Sequence, residues 1–239
     1  MISQGILQET KMFLHSLDSR AVPRYSYAQA ARYLRLPKST LRAWFAGMTY
    51  GTRPNLKVFK PLLKSSSVKN QLSFYDIASA HILMAFKQKG ASAEDIRAVV
   101  ESLRKELPDA AYPLLGREFF MFGKDVVIDR LGQLMNLSKH RQLGLKKIME
   151  KFLARVENDK DLMPVRFSPV HAPHARGKGI IIIDPDLSYG RPVIRGTGIA
   201  AEVIANRRQS GESISGLAKD YGLSRREIQE AISYFKKAA

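Results

Sequence analysis

Four polar side chains near the start of the chain lie within five consecutive positions, and their types suit contacts with a nucleic acid. They are Lys38, Ser39, Thr40 and Arg42. Hydroxyl and cationic groups donate hydrogen bonds to phosphate oxygens, and Lys and Arg also reach base edges. The apolar residues Leu41, Trp44 and Phe45 repeat at helical spacing, so we expect Trp44 and Phe45 to be core residues rather than base-stacking residues. The pattern predicts a helix whose polar face enters a major groove.

The elements that must position these side chains are two short helices. Within residues 25–45, apolar residues recur at helical spacing, the run breaks at residues 35–37, and it resumes at Leu41. Two helices joined by a tight turn predict a helix-turn-helix.

Positive charge is concentrated around this unit. The chain of 239 residues has 39 Lys or Arg and 22 Asp or Glu, a formal net charge of +17. No acidic residue occurs between Asp18 and Asp76, and the basic residues of that interval are Arg20, Arg24, Arg32, Arg35, Lys38, Arg42, Arg53, Lys57, Lys60, Lys64 and Lys69. Such a local excess predicts a polyanionic partner, and double-stranded DNA is the one we expect. The cations surround a turn and not one long amphipathic helix, so we do not expect a membrane surface as the partner.

A wing is expected after the second helix. Residues 56–59 form one extended run and residues 71–72 another, and two strands with a loop between them make a wing. Further candidates for contacts with the DNA backbone are Arg24, Arg53, Lys57, Lys60, Lys64 and Lys69. Alternatively, the lysines form a solvated loop face. Helices over residues 73–90 and 92–107, each opened by Ser with Asp three residues later, complete this part.

The fold class that we predict is mainly α with small β elements, in three parts. They are a winged helix-turn-helix domain at 1–110, a connector at 111–179 and a helical domain at 180–239. A leading helix is expected at residues 5–17. In the connector we expect a β-hairpin at residues 119–128, a helix at 138–158 and a strand at 165–167. A flexible basic linker follows, with Arg176 and Lys178.

The last part contains a second two-helix unit. It follows a β-branched strand at residues 180–183 and a helix at 200–210, and its own helices are expected at residues 213–220 and 224–235. Ser224 and Glu227 have capping-box spacing. The start of the final helix offers further candidates for DNA contact, which are Ser224, Arg225 and Arg226. Acidic neighbours dilute the charge there, so dimerisation through this unit is an equal alternative.

Residue sets for catalysis are missing. There is no cysteine, and His171 and His174 have the spacing of a metal pair without further ligands, which favours a Pro-rich loop. Without a phosphate-binding loop, a nucleophile elbow or a carboxylate constellation, we expect no enzyme activity, no cofactor and no metal. A signal peptide and a membrane-spanning apolar run are also missing from the pattern, so we expect a cytoplasmic protein.

Residues 25–107 resemble the MerR-like winged helix-turn-helix domain. The residues that match its recognition helix are Thr40, Leu41, Arg42 and Trp44. Arg35 and Pro37 stand where that family usually has Gly and Ser, and Ala43 replaces one aromatic residue. The order of a helix, a glycine and an Asp-Ile-Arg helix over residues 72–107 also matches. The resemblance implies DNA binding, and these departures leave the base preference open.

Residues 181–235 resemble a small family of domains of unknown function, catalogued as four-three-three, that occurs in antitoxins encoded beside PIN-like ribonuclease toxins. The matching residues are Asp184, Pro185, Gly190, Pro192, Val193, Ile194, Gly196 and Thr197. Gly198 stands where that family usually has Arg. The two domains in this order resemble the larger VapB-type antitoxins.

This resemblance implies an antitoxin of a type II toxin–antitoxin system. Such a protein neutralises a PIN-like ribonuclease toxin and binds its own operator DNA as a homodimeric autorepressor. We expect the basic linker at residues 176–178 to contact the carboxylates of the nuclease cleft. The alternative is a MerR-like transcriptional regulator that senses a ligand in an apolar cavity lined by residues 119–128. An RNA-binding factor is not expected, since an aromatic platform is missing.

Overall fold

The computed structural model describes residues 18–52, 54–64, 68, 70–135, 139–169 and 179–236. The predicted leading helix at residues 5–17 and the basic linker at residues 176–178 lie outside the described residues, and so do Arg53, Lys69, His171 and His174. Within the described ranges, no helix is both long enough and apolar enough to cross a membrane.

The first half of the chain consists of helices and small antiparallel β-ribbons. Its elements are β1 (Tyr25–Ser26), α1 (Tyr27–Leu34), α2 (Lys38–Ala46), β2 (Met48–Tyr50), β3 (Lys57–Phe59), β4 (Gln71–Leu72), α3 (Phe74–Gln88) and α4 (Ala93–Glu106). Strand β1 pairs with β4, and β2 pairs with β3.

In the second half, helices come before and after the four strands of a small sheet along the chain. Its elements are α5 (Gly116–Glu118), a π-helical turn (Phe119–Gly123), α6 (Lys124–Leu134), α7 (Lys139–Leu153), β5 (Val156–Asn158), β6 (Pro164–Phe167), β7 (Ile181–Ile183), a 3-10 turn (Ser188–Gly190), β8 (Pro192–Ile194), α8 (Ala201–Gln209), α9 (Ile214–Tyr221) and α10 (Arg225–Lys236). The predicted fold class, mainly α with small β elements, is confirmed.

The predicted helix-turn-helix is present as α1 and α2. Ser26 and Gln29 form a capping box, in which the Gln29 amide donates to Ser26 Oγ at 3.2 Å and the Ser26 amide donates to Gln29 Oε1 at 3.0 Å. Arg35, in the left-handed region with a φ of 53°, ends α1. Helix α2 then begins after Pro37, so the break falls where the sequence predicts it.

The predicted starts of α3 and α4 are confirmed by the same kind of cap. The amide of Asp76 donates to Ser73 Oγ at 3.1 Å, and the amide of Asp95 donates to Ser92 Oγ at 3.1 Å. Both Asp carboxylates accept the amide of their Ser in return. These reciprocal bonds satisfy amides that a helix start otherwise leaves without a partner.

The predicted wing has a different pair of strands. The extended run at residues 56–59 is confirmed as β3, but it pairs with β2, and residues 71–72 pair with residues 25–26 instead. Gly51, with a φ of +95°, lies in the short connection between β2 and β3. A strand that a short connection returns to its neighbour closes a smaller loop than residues 71–72 would, so β2 is the favoured partner.

The predicted β-hairpin at residues 119–128 is wrong, because this segment is helical. It runs through the π-helical turn into α6, and Val127 and Leu131, four residues apart on one helix face, are fully buried. Gly123 is not a turn residue. A Cβ at that position would lie 2.8 Å from Leu103 Cδ1, so glycine allows α4 to pack closely against this helix.

A four-stranded antiparallel sheet in the order β5-β6-β7-β8 joins the connector to the last part of the chain. The predicted strands at residues 165–167 and 180–183 are confirmed as β6 and β7, whereas the helix predicted at 138–158 ends at Leu153 and is followed by β5. All three residues of β7 are buried. The sheet therefore crosses the boundary that the sequence places at residue 179.

The predicted C-terminal helices are confirmed as α8, α9 and α10. The amide of Glu227 donates to Ser224 Oγ at 3.3 Å, and the amide of Ser224 donates to Glu227 Oε2 at 2.8 Å. The predicted capping box is therefore also confirmed.

A continuous apolar core connects all three parts. The rings of Phe74 and Phe167 lie 5.7 Å apart between centroids, and His81 lies between Phe152 and Phe167, 4.9 Å from each. His81 is fully buried. Its ring nitrogens form no well-aligned hydrogen bond with a described residue, and a weaker contact with the backbone of Phe152 only partly opposes the lowering of its pKa. Burial and the positive charge of Arg155 lower the pKa of His81 to about 3, so the ring is neutral at pH 7.

Candidate nucleic-acid interface

One side of α2 faces outward and carries the predicted contacts. Lys38, Ser39 and Arg42 are exposed, and Thr40 is half-buried. The buried side consists of Leu41, Ala43, Trp44 and Phe45. Because Lys38 and Arg42 are four residues apart, they lie on the same face of the helix. The assignment of Trp44 and Phe45 to the core is confirmed, since both are 3% exposed.

The start of α2 is open to an anion. Pro37 supplies no side-chain hydrogen bond, and the first turn contains no acidic residue. Uncapped amides and the positive end of the helix dipole together attract phosphate. Lys87 of α3 adds a cation beside them, because its Nζ donates to Thr40 Oγ1 at 3.2 Å. The sequence pattern of α3 does not indicate that the end of this helix reaches α2, so Lys87 could not be predicted as part of the interface.

The basic residues between Asp18 and Asp76 fall into two groups. Those nearest the beginning contact groups beyond residue 158, and they are Arg20, Arg24, Arg32 and Arg35. The other described cations of the interval are exposed, and they are Lys38, Arg42, Lys57, Lys60 and Lys64. None of this second group, which we call the cationic face, forms an ion pair with a described carboxylate. Some cations of the interval thus bind other parts of the molecule and others remain exposed. Composition alone does not distinguish the two groups.

Arg20 and Arg24 connect the beginning of the chain to its second half. Arg20 Nη1 binds Asp159 Oδ2 at 2.7 Å. Arg24 Nη1 donates to the carbonyl of Pro185 at 2.9 Å, and its Nη2 donates to the carbonyl of Ser19 at 2.7 Å. Arg24, a predicted DNA contact, is therefore half-buried with its guanidinium already bound to backbone carbonyls.

Arg32 and Arg35 hold α1 to the C-terminal helices. Arg32 forms an ion pair with Glu202 of α8. Arg35 Nη2 donates to the carbonyls of Tyr234 at 2.8 Å and Ser233 at 3.3 Å. Carbonyls in the last turn of a helix lack amide partners within that helix. Arg35, in the turn between α1 and α2, thus caps the end of α10.

The β2–β3 hairpin follows α2 directly and is fixed at its base. Gly47 has a φ of +73°, and a Cβ there would lie 2.6 Å from the carbonyl oxygen of Phe59, so glycine permits this close approach. Arg97 of α4 lies over the Phe59 ring, 4.5 Å from its centroid, and donates to the carbonyl of Lys60. The hairpin, with Lys57 and Lys60 exposed, therefore has a fixed position beside α2.

An open groove of about 470 Å³ lies between α2, the hairpin and the start of α4. Trp44, Met48, Tyr50 and Phe59 contribute to its apolar lining, and Glu94 contributes a carboxylate. The groove is formed by elements that are separated along the chain, which is why no local sequence pattern indicates it.

The C-terminal unit presents its predicted contacts at a separate place. Ser224, Arg225 and Arg226 are exposed at the start of α10. The opposite end of α10 contacts the α1–α2 turn through Tyr234, so Arg225 lies roughly 14 Å along the helix from that contact. Arg225 and Arg226 therefore form an exposed site of their own, at the far end of α10 from the turn.

The glycine-rich segment 190–198 forms turns and one contact with the first part of the chain. Thr197 Oγ1 donates to the carbonyl of Ile194 at 2.9 Å. Gly190 has a φ of +75°, and a Cβ there would lie 2.0 Å from the hydroxyl oxygen of Tyr25. Glycine is therefore needed at position 190 for β1 to approach this segment.

Metal-ligating side chains are scattered in the described part of the chain. No group of three or more His, Cys, Asp or Glu residues is placed to hold a metal ion there. His81 is buried between aromatic rings and Asp184 is 3% exposed beside Arg166, so each has a structural environment.

Two family models match the chain. Residues 23–100 match the model described as "Putative DNA-binding HTH domain", and residues 181–235 match "Protein of unknown function (DUF433)". The first match includes α1, α2, the hairpin and α3, and the second extends from β7 into α10. The helix-turn-helix and the four-three-three domain that the sequence predicts are thereby confirmed.

Relatives in Mycobacterium tuberculosis match nearly the whole chain. "Putative antitoxin VapB45" is 25% identical over 230 residues, which cover 88% of this chain and 93% of that protein. "Uncharacterized protein Rv2308" is 25% identical over 236 residues, which cover 89% of this chain and 90% of that protein. The crystal structure of Rv2018 from the same organism has a TM-score of 0.63 at 22% identity, over 88% of this chain and 98% of that chain. The similarity to the structure of Rv2018 supports the fold described above.

Proposed function

We propose that the chain is the antitoxin of a type II toxin–antitoxin system and binds its own operator DNA through α2 and the β2–β3 hairpin. The observation that carries this proposal is the cationic face, whose exposed side chains form no ion pairs with described carboxylates. Cations held on a fixed surface without counter-charges are available for phosphates. The antitoxin assignment is supported by the similarity to "Putative antitoxin VapB45" along most of both chains.

In the proposed complex, α2 enters the major groove in a MerR-like manner. Lys38 and Arg42, one helical turn apart, contact base edges and phosphates, while Ser39 and Thr40 donate to phosphate near the uncapped start of α2. The lysines of the hairpin follow the adjoining backbone. Two copies bind a palindromic operator as a homodimer and repress transcription of their own gene.

The second proposed activity is neutralisation of a PIN-like ribonuclease by direct binding. The basic residues 176–178 are our candidates for contact with the carboxylate cluster of the nuclease, because guanidinium and ammonium groups form strong charge-assisted hydrogen bonds with carboxylates. The chain itself acts as a binding protein and not as an enzyme.

A promoter assay tests autorepression. A reporter driven by the region upstream of the gene is measured with the wild type, with the double variant Lys38→Gln/Arg42→Gln, and with the control Lys146→Gln/Lys147→Gln, which removes two exposed charges from α7. We expect repression by the wild type and the control and its loss in the first variant. Equal repression by both double variants would exclude α2 as the operator contact.

Co-expression with the adjacent PIN-like nuclease tests neutralisation separately. We expect the wild type and Lys38→Gln/Arg42→Gln to restore growth and to copurify with the nuclease, because the DNA contacts lie outside the proposed toxin contact. Replacement of Arg176 and Lys178 by Gln should weaken copurification. Failure of the wild type to bind the nuclease would refute the antitoxin assignment and leave DNA binding to be judged by the promoter assay.

A further inference from the structure

A cationic pocket lies where the helix-turn-helix meets the rest of the molecule. It measures about 420 Å³ and is bounded by the α1–α2 turn, α3, α7 and the chain that follows α7. Its described lining includes Arg35, Lys151 and Arg155 and contains neither Asp nor Glu. A pocket of this volume is in the range that small-molecule sites occupy.

Arg155 is the most buried of these cations. It is 8% exposed, and its guanidinium lies 4.4 Å from the ring centroid of Phe152. Among the residues that the structure describes, its Nε has no hydrogen-bond partner and its guanidinium forms no ion pair. Burial lowers the pKa of Arg155, yet a guanidinium remains protonated at neutral pH. The described residues therefore supply no counter-charge for this buried cation, which is unfavourable unless an anion binds it.

Arg35 provides a second guanidinium that is held in place but only partly bonded. Its Nη2 is bound to the end of α10, and the group lies 4.9 Å from the ring centroid of Tyr234. Its Nε is buried and has no hydrogen-bond partner in the described ranges of the chain. Burial lowers the pKa of Arg35, and the nearby Tyr234 and Glu230 only partly oppose that effect. Because Nη2 already binds two carbonyls, Nη1 is the group of this guanidinium that can donate to a carboxylate or phosphate oxygen.

The remaining walls of the pocket suit an organic molecule. Leu34, Met84, Ile148 and Phe152 supply apolar surface, and Gln88 supplies an amide that donates and accepts hydrogen bonds. Lys151 on α7 is exposed, so it offers a mobile cation to the same ligand. The pocket combines strong positive charge with an apolar lining.

We infer that this pocket binds a small organic anion, whose carboxylate or phosphate group is held by Arg155 and Arg35 and whose apolar body contacts Met84 and Phe152. This site is distinct from the cationic face, because a DNA backbone binds exposed side chains and Arg155 is enclosed. Arg35 lies in the turn that leads into α2, so a ligand here touches the DNA-binding unit itself.

Titration of the full-length protein with defined probes tests the inference. At constant ionic strength, binding of phenyl phosphate, benzoate, inorganic phosphate and the neutral benzamide is measured by calorimetry. We expect phenyl phosphate or benzoate to saturate one site per chain and benzamide to bind at least about tenfold more weakly, since it lacks the charge that Arg155 requires. A preference for phenyl phosphate identifies a phosphate ligand, and a preference for benzoate identifies a carboxylate ligand. Equal affinity for inorganic phosphate and phenyl phosphate would overturn the organic ligand.

Variants separate this pocket from general attraction of anions to a basic protein. Arg155→Met removes the buried charge and keeps an unbranched side chain that reaches about as far as Nε. The melting temperature without ligand should therefore stay the same or rise, while probe affinity falls about tenfold or more. Lys151→Gln, at an exposed position, should weaken binding without affecting folding. Lys147→Gln, exposed on the same helix, should leave binding unchanged. Equal probe binding by the wild type, Arg155→Met and Lys151→Gln would overturn the site, and so would loss of binding only in Lys38→Gln/Arg42→Gln.

Discussion

The hydroxyl of Tyr234 donates a 2.6 Å hydrogen bond to the carbonyl oxygen of Tyr33, which joins the last helix of the chain to the first helix of the helix-turn-helix. The Tyr33 carbonyl lies in the last turn of α1, where it has no amide partner within its own helix. Tyr234 is 2% exposed, and burial raises the pKa of its phenol. The hydroxyl therefore remains a donor across the physiological pH range. The hydrogen bond stabilises the contact between α1 and α10.

Tyr234→Phe should lower the free energy of unfolding by about 1–3 kcal/mol, because it leaves a buried carbonyl without a partner. Urea denaturation measures the change. Tyr189→Phe is the matched control, since Tyr189 is 87% exposed, and it should have little effect. A Tyr234→Phe protein as stable as the control would show that this hydrogen bond does not contribute to the contact between α1 and α10.

Gly47→Ala should destabilise the hairpin and weaken DNA binding. The new Cβ would meet the Phe59 carbonyl oxygen at 2.6 Å, in addition to the strain of a side chain at a φ of +73°. Gly196→Ala introduces a similar φ of +78° with no atom within 4 Å, so it should cost only the backbone strain, about 1 kcal/mol. Thermal unfolding and DNA titration of both variants measure the difference. Equal losses of stability and DNA affinity in the two variants would mean that a small shift of the backbone relieves the contact between the new Cβ at position 47 and the Phe59 carbonyl.

His81 should make the protein less stable in acid. The unfolded chain binds a proton on this ring below about pH 6.5, whereas the native ring, with its pKa lowered to about 3, stays neutral. Between these values the unfolded state binds more protons, so the free energy of unfolding falls as the pH falls, by up to about 1.4 kcal/mol per pH unit.

His81→Leu should remove this dependence and leave the stability at pH 7.5 equal or higher, because a buried polar ring without a well-aligned hydrogen bond is replaced by an apolar side chain. Urea denaturation at pH 7.5, 6 and 5 provides the comparison. Parallel pH curves for the wild type and the variant would contradict the assignment of the acid sensitivity to His81.

The helix-turn-helix could be predicted because its signals are local. The apolar stripe from Tyr27 to Leu34, the break at residues 35–37 and the stripe beginning at Leu41 each lie within one element. The C-terminal helices were predictable for the same reason, since the capping box of Ser224 and Glu227 marks its helix start within four residues.

The hairpin expected at residues 119–128 shows where short apolar runs mislead. Runs of aromatic and β-branched residues on either side of Gly123 suit a strand as well as a buried helix. What decides between them is the contact with Leu103, which requires a glycine on the helix and lies 20 positions away along the chain. The signal for a helix that the sequence does contain is the spacing of the apolar residues Val127 and Leu131, four positions apart.

The contacts that each arginine side chain forms could not be predicted either. The acid-free interval shows a positive region, but Arg24 and Arg35 bind carbonyls at Pro185 and Tyr234 that are more than 150 positions away. Such contacts depend on how the parts pack against each other. Composition therefore predicts the charge of the DNA-binding part more reliably than it predicts which side chains remain exposed.

The salt dependence of DNA affinity tests whether the exposed face of α2 binds DNA. Fluorescence anisotropy with a duplex from the upstream region is measured from about 50 to about 300 mM salt. We expect tight binding at low salt, and we expect Lys38→Gln/Arg42→Gln to bind at least about tenfold more weakly, with a slope reduced by about one for each lost phosphate contact. Lys146→Gln/Lys147→Gln should follow the wild type. If the wild type has no duplex affinity in dilute buffer, or if the two double variants give identical curves, the exposed face of α2 is not the DNA-binding surface.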